Sequence, residues 1–164
     1  MQPFHPCVSI IRYNDAVSLP KSRILVVDDE PSIRNLLNSI LSGTYSCKMA
    51  ESAEEALTIL ENDAFDLVIS DITMGAMSGF ELVARITAAT PDTVVMVISG
   101  NHDVDSPLEA MRSGAFDYIK KPFDIEQVEM SVARAIKHSA LLVSKRKHEE
   151  HLEQLVAERT EKLD

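Results

Sequence analysis

The chain has 164 residues, of which 45% are hydrophobic and 26% charged, a length and composition typical of one globular domain with appendages. A net charge of −10 argues against binding to the nucleic-acid backbone, which needs a basic face. No apolar run is long enough to span a membrane, and the amino terminus lacks the layout of a secretion signal. Cys7 and Cys47 have no metal-binding or redox spacing, so we expect reduced thiols in a cytoplasmic protein.

The chain divides into three parts. Residues 1–20 carry three prolines and no periodicity, which predicts a disordered amino-terminal extension. Residues 21–137 alternate five apolar stretches with five helical patterns, which predicts an α/β domain with a doubly wound, five-stranded parallel sheet. Residues 138–164 lack glycine and proline and mix both signs of charge, which predicts a helical linker that could form a coiled coil.

The predicted elements follow a regular order along the chain. The strands are expected at 23–27, 45–49, 66–70, 93–98 and 116–120. The helices are expected to begin at Pro31, Ser52, about Ser78, Ser106 and Asp124, with Ser52, Ser106 and Asp124 as helix caps. Helical spacing predicts the buried faces of the first and last helices, formed by Ile33, Leu36, Leu37, Ile40 and Leu41 and by Ile125, Val128, Val132 and Ile136.

Acidic, hydroxyl and basic side chains follow four of the strands. Asp28 and Asp29 follow the first strand, Asp71 the third, Ser99 the fourth and Lys121 the fifth. The carboxyl ends of parallel strands share one edge of a sheet, where α/β proteins bind their ligands. Three carboxylates at this edge would repel one another. An ion pair with Lys121 alone would relieve this repulsion, but the all-oxygen donor set favours an added Mg²⁺.

With a metal present, these residues fit a phosphoryl-transfer scheme. A carboxylate can attack phosphorus, and Asp71 is the candidate nucleophile because it lies centrally and precedes a loop with two glycines. Asp28 and Asp29 would hold the metal together with Asp71, and the backbone carbonyl of Thr73 would complete its shell.

Two further side chains at this edge suit the phosphoryl group itself. The Ser99 hydroxyl would donate a hydrogen bond to a phosphoryl oxygen, and the Lys121 ammonium would supply a point charge. Gly100 would leave space beside Asp71 for the incoming group.

The candidate site residues lie in the stretches Val27–Glu30, Ser70–Met74, Ile98–Gly100 and Gly114–Phe123. In this order, these separated motifs resemble the receiver domain of response regulators in bacterial two-component systems. The resemblance implies a flavodoxin-like fold, Mg²⁺ dependence and phosphorylation of Asp71 by a histidine kinase or histidine phosphotransfer protein. It also implies that Lys121 is the family's invariant lysine, followed by a cis peptide bond to Pro122.

The resemblance further implies a regulatory switch. Phosphorylation would draw the Ser99 hydroxyl inward, and the Tyr118 ring would move into the vacated space. The changed state would pass through the last helix to an output domain outside this chain. One departure from the family is Gly75, which stands where proline is usual.

Two alternatives stay open at this stage. The first is a metal-dependent phosphatase or phosphotransferase acting on a separate substrate, which would need a second acid where Thr73 stands and a cap over the site. The second concerns the tail. Residues 138–163 carry apolar positions at the three-four spacing of a coiled coil, which predicts a parallel homodimer or a higher association. After Lys145, however, Leu152 and Leu155 are the two good hydrophobes at these positions, so a single solvated helix is the competing prediction.

Overall fold

In the computed structural model, residues 19–100 and 107–163 are described, and they form a five-stranded sheet covered by helices on both faces. The predicted extension lies outside these residues apart from its last two positions, and so does the predicted helix cap Ser106. The strands are β1 (Arg23–Val27), β2 (Ser46–Ala50), β3 (Leu67–Asp71), β4 (Val94–Ser99) and β5 (Asp117–Lys120). The helices are α1 (Pro31–Leu41), α2 (Ala53–Asn62), α3 (Gly79–Ala89), α4 (Pro107–Ser113) and α5 (Ile125–Glu161).

All neighbouring strands are parallel, in the order β2-β1-β3-β4-β5. The predicted doubly wound α/β fold is therefore confirmed. Since the chain winds outward from β1 in one direction and from β3 in the other, the strand order reverses between these two strands. Ligands of open α/β sheets bind at this switch point.

Alternation along each strand divides the core into two layers. Leu25 and Val68 face one layer, whereas Ile24 and Ile69 face the other. Helices α2, α3 and α4 cover the first layer, and α1 and α5 cover the second. Both faces of β1, β3 and β4 are buried, which explains why these strands read as continuous apolar runs.

Two residues predicted to face the core are exposed. Leu36 in α1 is 41% exposed, whereas its neighbour Leu37 is 1% exposed. Ile125 at the start of α5 is 54% exposed. Leu36 lies at the side of the apolar stripe of α1, and Ile125 stands one turn before Val128, where α5 first reaches the core. Helical periodicity predicts which face of a helix points towards the sheet. It does not predict how many residues of that face the sheet buries.

Helices α2 and α3 each begin with a side-chain cap. Ser52 and Ser78 accept hydrogen bonds from the backbone N–H groups of Glu55 and Glu81, at 3.1 and 3.2 Å. Asp124 occupies the cap position of α5, but its side chain makes no capping hydrogen bond, which differs from the prediction.

Helix α5 crosses residue 138, where the linker was predicted to start, without a break. Buried Ser139 donates a hydrogen bond to the carbonyl oxygen of Asp92 at 3.0 Å, and Leu142 packs against the core. Arg146 Nε lies 2.5 Å from Asp92 Oδ2. We call Asp92, Ser139 and Arg146 the α5 clasp.

Every residue from 144 to 163 is exposed. Within the described ranges no helix, α5 included, is both long and apolar enough to cross a membrane.

We expect alanine at positions 36 and 37 to have very different effects on stability. Leu37→Ala should lower the free energy of unfolding by about 2–5 kcal/mol, because it leaves a cavity under α1. Leu36→Ala should cost less than about 1 kcal/mol, because the side chain is already partly in water. Urea unfolding of both variants tests this, and equal losses would contradict the packing described for α1.

Candidate functional site

Three carboxylates meet where β1 and β3 end. Asp28 and Asp71 are buried, with 2% and 7% of their surfaces exposed, and Asp29 is exposed. One carboxylate oxygen of each lies within 4.8 Å of the other two. The cause is register, since Val27 of β1 pairs with Ser70 of β3 and the next residue of each strand is an acid. The structure thus brings the three predicted acids together.

Lys121 enters the same cluster from the end of β5. Its Nζ atom lies 2.9 Å from Asp28 Oδ2 and 3.4 Å from Asp71 Oδ2. The peptide bond from Lys121 to Pro122 is cis, as the family resemblance implied. The backbone N–H of Lys121 donates to the carbonyl oxygen of Ser99 at 2.6 Å, which ties the ends of β4 and β5 together. Ser99 is fully buried at this edge.

Backbone N–H groups fix the other oxygens of the two buried acids. Glu30 N–H donates to Asp28 Oδ1 at 2.9 Å, and Ile72 N–H donates to Asp71 Oδ1 at 2.8 Å. Arg34 also donates to the carbonyl oxygen of Asp28, at 2.7 Å. Neither backbone donor was predicted, because residue type carries no signal for a backbone N–H, and the guanidinium group of Arg34 was not predicted either. Together they aim both Oδ2 atoms towards Lys121.

The site has a surplus of negative charge. Burial, and then the charge of Asp28, raise the pKa of Asp71 to about 6, although Lys121 acts in the opposite direction. Burial lowers the pKa of Lys121, but its hydrogen bond to Asp28 and the charge of Asp71 outweigh this effect, so that pKa is raised. One ammonium group therefore does not compensate the three acids. A hard-oxygen donor set that is short of positive charge fits Mg²⁺.

The remaining predicted site residues are Thr73 and Tyr118. Thr73 is exposed in the loop after β3, in which Gly75 has φ +54°, a value that proline cannot adopt. Tyr118 of β5 pairs with Val97 of β4, is half-buried and packs against the layer under α2, α3 and α4. The exchange between Ser99 and Tyr118 stays a prediction.

Comparison with known families agrees with this fold. The model of the response regulator receiver domain matches residues 24–133, which include all the candidate site residues. The chain belongs to the response regulator receiver family. The earlier resemblance is thereby confirmed.

Relatives of this receiver domain are much longer proteins. The DNA-binding transcriptional regulator NtrC of Klebsiella pneumoniae is 40% identical over 114 residues, which cover 69% of this chain and 24% of the relative. The transcriptional regulatory protein ZraR of Klebsiella oxytoca is 35% identical over 119 residues, 72% of this chain and 27% of the relative. The chain thus spans about a quarter of the length of these relatives.

Solved receiver domains share its architecture. The receiver domain of NtrX from Brucella abortus has a TM-score of 0.66 and 35% identity, covering 70% of this chain and 98% of that one. A response regulator receiver domain protein from Clostridium thermocellum has a TM-score of 0.69 and 32% identity, covering 74% of this chain and 98% of that one. In both cases nearly the whole neighbour is matched, whereas more than a quarter of this chain lies outside the match.

The raised pKa predicts that Asp71→Asn stabilises the metal-free protein at neutral pH. The folded state holds a proton on Asp71 more tightly than the unfolded state, so the stability of the wild type falls as the pH rises from about 4 to about 6. In excess EDTA at about pH 7.5, the variant should unfold with a free energy about 1–3 kcal/mol higher than the wild type.

The gain should vanish below about pH 4, where the carboxyl group is protonated in both states. Asparagine keeps an oxygen for the Ile72 N–H and replaces Oδ2, which faces Lys121, with a neutral amide group. Asp124→Asn, which removes an exposed carboxylate without a capping bond, is the control. Urea titrations across this pH range supply the measurement, and a variant less stable than the wild type at pH 7.5 would contradict the argument.

Proposed function

We propose that this receiver domain accepts a phosphoryl group on Asp71, in a Mg²⁺-dependent reaction, from a histidine kinase or histidine phosphotransfer protein. The observation that carries the proposal is the convergence of Asp28, Asp29 and Asp71 with the ammonium group of Lys121. Membership of the receiver family supports the donor class. The proposed setting is the bacterial cytoplasm.

The proposed metal ligands are Asp28, Asp29, Asp71 and the backbone carbonyl of Thr73. When bound, Mg²⁺ would neutralise charge on the phosphoryl oxygens and on the acids around them. The fit rests on the crowded acids and on the raised pKa of Asp71. No imidazole or thiolate among the described residues enters this cluster, which suits a hard cation.

The protein's own groups would perform the transfer as follows. A carboxylate oxygen of Asp71 attacks phosphorus as the bond from phosphorus to the donor's imidazole nitrogen breaks, and a proton ends on that nitrogen. The Ile72 N–H holds the other carboxylate oxygen in place. Lys121, already 3.4 Å from Asp71, and the Ser99 hydroxyl would contact the phosphoryl oxygens.

The competing function is a phosphatase or phosphotransferase that turns over a separate substrate. Such an enzyme would need a proton donor next to the nucleophile, and the matching position holds exposed Thr73. The described residues form five strands that alternate with five helices, and no additional element is inserted among them to form a cap. We therefore favour a regulatory acceptor whose turnover is limited to its own phosphorylation and dephosphorylation.

Incubation with acetyl phosphate and Mg²⁺ should add one phosphoryl group to the wild type, detected as a mass gain that hydroxylamine removes. Asp71→Asn should lose this modification, since the amide is not a nucleophile, and excess EDTA should also abolish it. Asp124→Asn should be labelled like the wild type. Labelling of Asp71→Asn at the wild-type rate would contradict the assignment, and multiple turnover of an unrelated phosphoester would favour the enzyme.

We also propose that α5 relays the state of the domain to an output domain and pairs with a second copy of the chain through residues 138–163. The support is a helix that is continuous from the receiver domain to Glu161. Its far half exposes Leu152 and Leu155 on one seam, with 47% and 45% of their surfaces accessible. At a net charge of −10, we expect this chain itself to make no nucleic-acid contact.

Replacing the seam leucines should dissociate the pair. We expect light scattering to give a dimer mass for the wild type and a monomer mass for the double variant Leu152→Asn and Leu155→Asn, because the substitution removes the apolar seam. Gln154→Asn with Ala157→Asn alters two exposed residues off the seam and should leave the dimer intact. A monomeric wild type at high micromolar concentration would instead support the single solvated helix.

A further inference from the structure

Gly79, the first residue of α3, lies against the backbone of the candidate nucleophile. It is buried, and a Cβ atom added to it would lie 2.1 Å from the carbonyl oxygen of Asp71 and 2.7 Å from Cα of Ile72. Ordinary contacts between such atoms are about 3.5 Å. Because both clashing groups belong to the backbone, a side-chain rotation could not relieve them. Helix α3 can therefore begin here only if residue 79 has no side chain.

Conformational freedom does not explain this glycine. Among the described residues, positive φ values occur at Gly75 and Gly114, and Gly79 is not one of them. Within a helix, alanine is the more favourable residue by about 1 kcal/mol. Glycine is therefore required at position 79 because the end of β3 lies too close to leave room for a side chain.

The approach holds together the loop that carries Thr73. The Gly79 N–H donates to the carbonyl oxygen of Ile72 at 2.8 Å, which closes residues 72–79 into a compact loop. The Asp71 carbonyl oxygen also accepts a hydrogen bond from Ser70 Oγ at 2.9 Å, on the peptide that Gly79 contacts. The following N–H, that of Ile72, fixes the carboxylate of Asp71. Displacing α3 would move all of these groups.

We infer that Gly79 is a positioning residue for the metal and phosphoryl site, acting through the Asp71–Ile72 peptide rather than by touching a ligand. Its missing side chain lets α3 press on the end of β3 and so sets the Thr73 carbonyl and the Asp71 carboxylate relative to each other. The inference rests on the proposed function, because its consequence is the affinity of that site for Mg²⁺.

The test compares Gly79→Ala with the wild type by isothermal titration of the full chain with MgCl₂. We expect the dissociation constant for Mg²⁺ to rise about 10-fold or more, as it does when groups supporting metal ligands are removed. Gly43→Ala adds the same methyl group where nothing lies within 4 Å, so it should bind like the wild type. Val132→Ala is a control for lost stability, because Val132 is buried in the core layer under α1 and α5. This variant should be less stable than the wild type but bind Mg²⁺ with the same affinity.

The possible outcomes separate the two proposals. A Gly79→Ala protein that melts at a lower temperature but binds Mg²⁺ with wild-type affinity would overturn the positioning role and leave the proposed function standing. A wild type that binds no Mg²⁺ would overturn both.

If Gly79→Ala does not fold, the wild type supplies the test through its glycine amide resonances. During a Mg²⁺ titration, the Gly79 amide should shift with the dissociation constant found by calorimetry, while the Gly43 amide stays constant. A Gly79 amide that does not respond to Mg²⁺ would overturn the inference.

Discussion

Mutual repulsion among Asp28, Asp29 and Asp71 is the constraint around which this domain is arranged. Parallel pairing of β1 with β3 forces the acids together, and burial of two of them removes the water that would screen their charges. Lys121 supplies a single compensating charge. The fold thus holds a cluster whose negative charge exceeds the single positive charge of Lys121, and the proposed Mg²⁺ would supply the missing positive charge.

Much of this site could be predicted because its chemistry lies in side chains at strand ends. Runs of apolar residues located β1, β3 and β4, and the candidates Asp28, Asp71 and Ser99 lie at the carboxyl ends of these strands. The sequence did not indicate that Lys121 lies closer to Asp28 than to Asp71. A difference of half an ångström between two such distances depends on side-chain packing. Nor did it indicate the role of Gly79, whose only signal was a glycine where a helix would prefer alanine.

Predictions about packing failed where periodicity was the only guide. Leu36 and Ile125 fitted apolar stripes, yet each stands where the neighbouring layer does not reach.

The change of composition near residue 138 suggested a boundary between domain and linker. Ser139 and Leu142 show why that boundary is not a structural break, because both are held by the receiver domain itself. Composition reports the solvent exposure of a segment, not its points of attachment.

The α5 clasp fixes the rotation of helix α5 about its own axis as well as its position on the domain. Arg146 and Ser139 are two turns apart and both bind Asp92, so the helix cannot roll on the domain without breaking one of these bonds. Beyond Arg146, each residue advances the helix by about 1.5 Å and turns it by about 100°. A one-residue insertion after Arg146 would therefore swing the outward half of the helix by over a quarter of a circle, whereas about seven residues would nearly restore its original bearing.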